Sequence, residues 1–268
     1  MSRALVSRVS SLAAACALAT ACASTPAPPG TVSDPWERVN RPVFAFNLKV
    51  DDYVLRPVAK GWTVITFEQL RDAIARFEEN LRFPSRFVSN VGQAKPVGAA
   101  SEVGRFVVNS TIGLAGFFDP ATRFGIPRSD EDIGQMFGRW GIPPGPFWVI
   151  PLLGPSDPRD AVGMACDAVL NPLGWFVPFW GSLANGGVNI VNARARADKQ
   201  IENARRSALD YYVFVRDAYI QMRDNAVRDS APPTSGTGYD LYDTGATDLG
   251  VYDLPEEPKQ EPKKNAPP

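Results

Sequence analysis

Histidine is absent from the 268 residues. Its absence removes the Ser-His-Asp and Cys-His arrangements and the commonest zinc ligand together. Cysteine is scarce: of three, Cys16 and Cys22 fall in the N-terminal stretch and Cys166 stands alone in GMACDAV, which reads as an inert buried thiol without a disulfide partner. Gly113, Gly116 and Gly125 lack the strand-turn-helix setting of a phosphate-cradling loop, and no Ser-x-x-Lys motif stands out. These gaps argue against an enzyme, and no cofactor or resident metal is expected.

Long apolar runs are also missing. Beyond residue 22 no uninterrupted stretch reaches the ~20 residues that a membrane-spanning helix needs. Alternating β-branched runs and Asn-Gly hairpin turns are lacking too, so the chain is expected to be all-α. The net charge of -1 hides an acidic tail, with Asp240, Asp243, Asp248, Asp253, Glu256, Glu257 and Glu261 facing three lysines. What remains is near neutral, and no basic face suits a phosphate backbone; a nucleic-acid partner is not expected.

What is there begins with Arg3 and Arg8, an uncharged Ala/Leu-rich stretch from Val9 to Ala21, and Cys22. This pattern predicts a signal peptide over 1–21 and resembles a bacterial lipobox, with Cys22 as the lipid attachment residue and Cys16 as an alternative. Ala23 rather than Asp after the cysteine favours, by resemblance to known sorting rules, the outer membrane. Residues 22–33 form a Pro/Ser/Thr-rich spacer, 34–230 the folded body, and 231–268 a disordered acidic, Pro-rich tail.

Within the body the apolar residues recur at helical spacing. Asp34-Pro35 starts a helix, and Pro57 interrupts it. Leu70, Ile74, Phe77 and Leu81 give one stripe, with Arg71, Asp72, Arg76, Glu78 and Glu79 opposite. After Pro84 and after Pro96 two more helices follow, the second carrying Val103, Phe106, Val107, Leu114 and Phe118 up to Asp119. Asp130, Glu131 and Asp132 could hold a hard cation but suit better the N-terminus of a short helix ending at Trp140. Asp157 or Ser156 caps a helix whose face is Ala161, Met164, Ala165, Ala168 and Val169, and a long helical region runs from about 183 to 227. Such amphipathic helices pack as a soluble bundle or lie in the plane of a membrane.

One segment fits neither helix nor ordinary strand. GIPPGPFWVIPLLGPSDPRD, residues 141–160, sets Phe147, Trp148, Val149, Ile150, Leu152 and Leu153 among Pro143, Pro144, Pro146, Pro151, Pro155 and Pro158. So apolar a loop requires cover from protein or from lipid.

This segment and DPWERVNRPVFAFNLKVDDYVLRPVAKGW, residues 34–62, resemble the MlaA (VacJ) family of outer-membrane phospholipid-transport lipoproteins. RFVVNSTIGLAGFFDPA at 105–121 extends the likeness, which keeps order and spacing over about 34–225. The resemblance implies a ring-like single domain of in-plane amphipathic helices with Pro-rich apolar loops and a central channel. It also implies removal of mislocalised phospholipid from the outer leaflet, with a trimeric porin and a periplasmic phospholipid carrier protein as partners. An anchored adaptor that binds porins without conducting lipid is the alternative.

On that resemblance Phe44, Phe46, Asn47, Phe147, Trp148, Ile150, Leu152 and Leu153 are expected to meet lipid or line the channel. Pro144, Gly145, Pro146, Pro151, Gly154, Pro155, Arg159 and Asp160 are expected to fix the loop. Arg56-Pro57 matches the family's Arg-Pro. Ala45 stands where the family has a further asparagine, so fine control of the channel is not carried over.

Overall fold

A computed structural model describes residues 34–230. The signal peptide, Cys16, Cys22, the spacer and the acidic tail lie outside the described residues. Twelve helices and one two-stranded hairpin make up the described chain.

Helix α1, Glu37–Val50, passes through a π-helical stretch, Asp51–Leu55, into α2, Arg56–Ile65. Pro57 therefore does not break the chain as its ring suggests. It sits in the first turn of α2, where the missing N–H is tolerated, and the wider π turn ahead of it takes up the misfit. Next come α3, Glu68–Leu81, α4, Phe83–Gly92, and α5, Pro96–Thr111. α5 stops short of the expected Asp119 because Leu114, Ala115 and Gly116 all take positive φ, forming a tight turn. α6, Pro120–Arg123, is capped by Asp119, whose carboxylate accepts the Thr122 N–H.

Helix α7, Ile133–Arg139, is capped by Asp132, and α8, Pro158–Leu170, by Asp157. These helices cross at Gly134 and Gly163, where a Cβ on Gly163 would lie 2.5 Å from the Gly134 nitrogen. α9, Leu173–Phe176, leads to α10, Phe179–Arg196. The long helical region of the sequence reading is three helices, α10, α11 (Asp198–Ser207) and α12 (Tyr211–Arg228). The last break falls at Asp210, which caps α12 by accepting the N–H groups of Tyr212 and Val213.

Between α7 and α8 the proline-rich segment forms an antiparallel hairpin, β1 (Trp148–Ile150) with β2 (Gly154–Ser156). No alternation of β-branched residues predicts a strand here. Pairing survives the prolines because Pro155 lies on a short edge strand opposite Val149, and Leu152 and Gly154 turn the chain with φ of 66° and 93°. Val149 points inward and joins Phe44, Phe147, Tyr212, Val215 and Tyr219 in one aromatic core between α1, the hairpin and α12.

Elsewhere the usual polarity is reversed. The largest fully buried side chains are Glu102, Asn40, Asn90, Asn192, Ser89 and Ser156, none of them apolar. Large apolar groups face outward instead, Phe176 with 84% and Trp180 with 76% of its surface exposed. The stripes have the helical period that the sequence predicts, but several point the other way. On α8, Met164 and Val169 are exposed while Arg159, Asp160 and Gly163 are buried. On α5, Val103 and Val107 are exposed while Glu102, Arg105 and Asn109 are buried. No helix among the described residues is long and apolar enough to cross a membrane.

Candidate functional site

The reversed polarity has a reason, because the helices close around a cavity of about 1640 Å³. Its wall comes from α2 through α6, the turn leading to α7, and the junction of α10 with α11. The charged face of α3, which the sequence alone would give to solvent, supplies Arg71, Asp72, Arg76 and Glu79 to it.

Ion pairs hold this wall together. Arg86 donates to Glu79 at 2.5 Å and to Glu102 at 2.7 Å, with Glu102 1% exposed, and Arg128 reaches Glu79 at 2.9 Å. Glu102 also accepts the Ser129 N–H at 3.1 Å, tying α5 to the segment before α7. Burial alone would raise the Glu79 pKa, but the Arg86 and Arg128 guanidiniums outweigh it and hold the carboxyl below its usual range. Further round, Arg105 pairs with Asp119 at 2.6 Å and donates to the Ile126 carbonyl at 2.8 Å; Arg196 pairs with Asp72 at 3.0 Å.

Alongside the charges runs an apolar strip, where Phe83 stacks on Phe106 with ring centres 4.3 Å apart and Ile112, Phe118 and Ile126 join them. The wall is thus amphipathic. Among the described residues no group of His, Cys, Asp or Glu side chains is placed to hold a metal ion.

None of the eight residues that the family resemblance assigns to lipid or channel lines this cavity. Phe44 and Phe147, the latter 4% exposed, belong to the aromatic core, against Tyr212 at 5.5 and 6.3 Å between ring centres. Trp148 and Ile150 are half-buried on the hairpin, whereas Phe46, Leu152 and Leu153 are exposed.

Asn47 holds the hairpin tip, donating to the Ile150 carbonyl at 3.0 Å and accepting the Leu152 N–H at 2.8 Å. Asn40, which the sequence reading passed over, repeats this grip on the Phe147 carbonyl, 3.1 Å, and the Val149 N–H, 2.9 Å. Seven residues of helix rise ~10.5 Å and three of strand ~10 Å, so two asparagines seven apart match acceptors and donors three apart. That spacing was the available signal.

The base of the hairpin is held by charge. The Pro144 carbonyl accepts the Arg159 N–H at 3.4 Å, and a Cβ on Gly145, which has φ 81°, would come within 3.0 Å of Pro158. Pro146, Pro151 and Pro155 stiffen the intervening backbone. Arg159 is buried against Asp160 at 2.9 Å, away from the cavity wall. Asp160 also accepts from Tyr219 at 2.8 Å and Arg223 at 2.5 Å, and Arg223 reaches Asp132 at 2.6 Å. Burial works to raise the Asp160 pKa, yet Arg223 and Arg159 hold it at about 2, while burial and the neighbouring Asp160 push Asp157 up to about 7.

Helices with an apolar outer surface, a polar interior and no span of their own define a class of in-plane or peripheral membrane proteins built around a cavity. The chain belongs to the MlaA lipoprotein family, whose model matches residues 32–226. It is 30% identical over 222 residues to the intermembrane phospholipid transport system lipoprotein MlaA of Escherichia coli K12, covering 81% of this chain and 87% of that one. The protein of the same name from Haemophilus influenzae is 33% identical over 208 residues, 74% of this chain and 80% of its own. A solved chain from work on maintenance of bacterial outer membrane lipid asymmetry superposes with a TM-score of 0.66 at 30% identity, covering 73% of this chain and 100% of that one.

Proposed function

We propose that this MlaA-family chain serves intermembrane phospholipid transport and outer-membrane lipid asymmetry by conducting phospholipid through its cavity. Lipid enters from the outer leaflet and leaves to a periplasmic carrier protein. The reversed polarity carries this reading: apolar side chains outside, and charge beside an aromatic strip around 1640 Å³. A charged headgroup on an apolar tail faces a cost of several kcal/mol in crossing a bilayer unaided. A wall polar along one side and apolar along the other lowers that barrier without breaking a bond.

Cys22 carries the lipid anchor on the periplasmic side, and the apolar outer faces lie in the membrane plane. Phe46, Leu152 and Leu153 meet lipid, and the hairpin stands between bilayer and cavity. A trimeric porin steadies the assembly in the membrane. Transfer of mass-tagged phospholipid from vesicles holding the full-length lipidated protein to a soluble periplasmic carrier tests the reading. Protein-dependent transfer supports it; intact carrier binding with no transfer returns the chain to an adaptor role.

A further inference from the structure

The cavity wall is paired unevenly. Nine cationic side chains line it, and five of them, Lys60, Arg71, Arg76, Arg123 and Lys199, have no carboxylate within the 4.0 Å of an ion pair among the described residues. Of the lining carboxylates only Glu68 is left without such a pair. Asp72, Glu79, Glu102, Asp119, Asp130 and Asp198 are each held by an arginine. Arg71 and Arg76 spend donors on the carbonyls of Thr66 and Phe117, which fixes their position without neutralising them. Lys60, Arg123 and Lys199 are exposed to the cavity's solvent.

From this surplus we infer that the cavity selects among phospholipids by headgroup charge, taking net-anionic phosphodiester headgroups in preference to zwitterionic ones. The inference rests on the conduction reading above and names its substrate class. A phosphodiester satisfies unpaired guanidinium and ammonium groups through charge-assisted hydrogen bonds. A zwitterionic headgroup brings an ammonium with its phosphate. Against it the wall offers one unpaired carboxylate and five repelling cations, so part of the phosphate's attraction is cancelled. The paired residues do not make up the difference, because each cation among them is already matched by a carboxylate, Arg86 by the buried Glu79 and Glu102.

The test uses the full-length lipidated protein in vesicles containing equal phosphatidylglycerol and phosphatidylethanolamine, with both lipids followed in the carrier by mass spectrometry. Wild type is expected to deliver the anionic lipid about fivefold faster, equivalent to about 1 kcal/mol. R123Q with K60Q, whose replaced side chains make no hydrogen bond among the described residues, lowers that ratio toward one while zwitterionic transfer persists. Raising the salt from about 0.1 to 1 M shortens the screening length from about 10 to 3 Å and lowers the ratio in wild type as well.

Equal delivery of both lipids by wild type, or a ratio unmoved in the double variant, overturns the headgroup inference and leaves conduction standing. Transfer of neither lipid overturns both. A soluble control separates lipid from free phosphate: glycerol phosphate at millimolar concentration is expected to leave lipid delivery unchanged, and competitive block by it reassigns the surplus to a soluble anion.

Discussion

Asn47 accepts the backbone N–H of Leu152 at 2.8 Å, and Leu152 is the residue that turns the hairpin in the left-handed region at φ 66°. A helix side chain thus holds a strained loop residue from outside the hairpin. Replacing Asn47 with Ala removes both of its hydrogen bonds to the tip, a loss of about 1–2 kcal/mol that acts locally. Hydrogen exchange at residues 150–154 is expected to quicken while the Asn40-held end, Phe147 to Val149, stays protected. Deleting Phe46 and Asn47 together goes further, since it brings Lys49 into the clamp position with no acceptor to offer. Unchanged exchange at the tip in either variant would show that the clamp does not hold it.

Arg86 lies between two buried carboxylates, and its loss leaves Glu79 and Glu102 facing each other, with Arg128 still paired to Glu79. R86M is expected to destabilise the protein in detergent by about 3–5 kcal/mol, the range for breaking a buried pair from one side. Charge reversal is not required. E102Q keeps one acceptor oxygen where Glu102 offers two, enough for the Ser129 N–H or for Arg86 but not for both, and is expected to cost about 1–3 kcal/mol. Thermal unfolding of the two variants side by side checks the order, and a milder effect for R86M than for E102Q would refute this account of the wall.

The helical period was legible throughout the sequence; the direction of each face was not. Leu70, Ile74, Phe77 and Leu81 announce a helix, and α3 follows from Glu68 to Leu81. A hydrophobic stripe says only that two sides differ, and the habit of turning it inward fails when the exterior is lipid. Hence Glu79 and Arg86 went unsuspected as wall residues, although their charges were plain.

The hairpin was hidden for another reason. Three-residue strands with Pro155 in one of them give too little alternation to read, and their pairing depends on Asn40 and Asn47 more than 100 residues away. The family resemblance assigns Phe147 to lipid or channel, whereas its packing against Tyr212 and Tyr219 is a tertiary fact that no local pattern carries. Asp157, by contrast, was legible as a cap from its place before Pro158.

Trp175, Phe176, Phe179 and Trp180 form an exposed aromatic run at the α9–α10 corner. Burying one such ring in the acyl boundary contributes roughly 2 kcal/mol. Vesicles with brominated acyl chains are expected to quench the tryptophan fluorescence of the full chain, and the W175F/W180F variant is expected to lose most of that quenching. Retained quenching in the variant would place the membrane contact on another face.

The Asp157 carboxyl gives the pH dependence a definite sign. Burial first, and then the Asp160 charge, raise it to about 7, whereas in the unfolded chain it titrates near 4. Between these values the folded state binds the extra proton, so its contribution to stability is full below about pH 4 and is lost as pH rises through 7. Asp160 has the opposite sign: held at about 2 against its own burial, its contribution is present above about pH 4 and lost only in acid. From pH 5 to 8 the slope from this pair therefore belongs to Asp157. D157N keeps a side-chain oxygen to accept the Asp160 N–H that caps α8 and can never carry the charge. Melting temperatures measured across pH 5 to 8 should fall with pH in wild type and fall less steeply in D157N, with the variant the more stable of the two at pH 8. Parallel curves would mean that Asp157 is ionised throughout and that the Arg159 guanidinium 3.8 Å away, rather than burial, governs its charge.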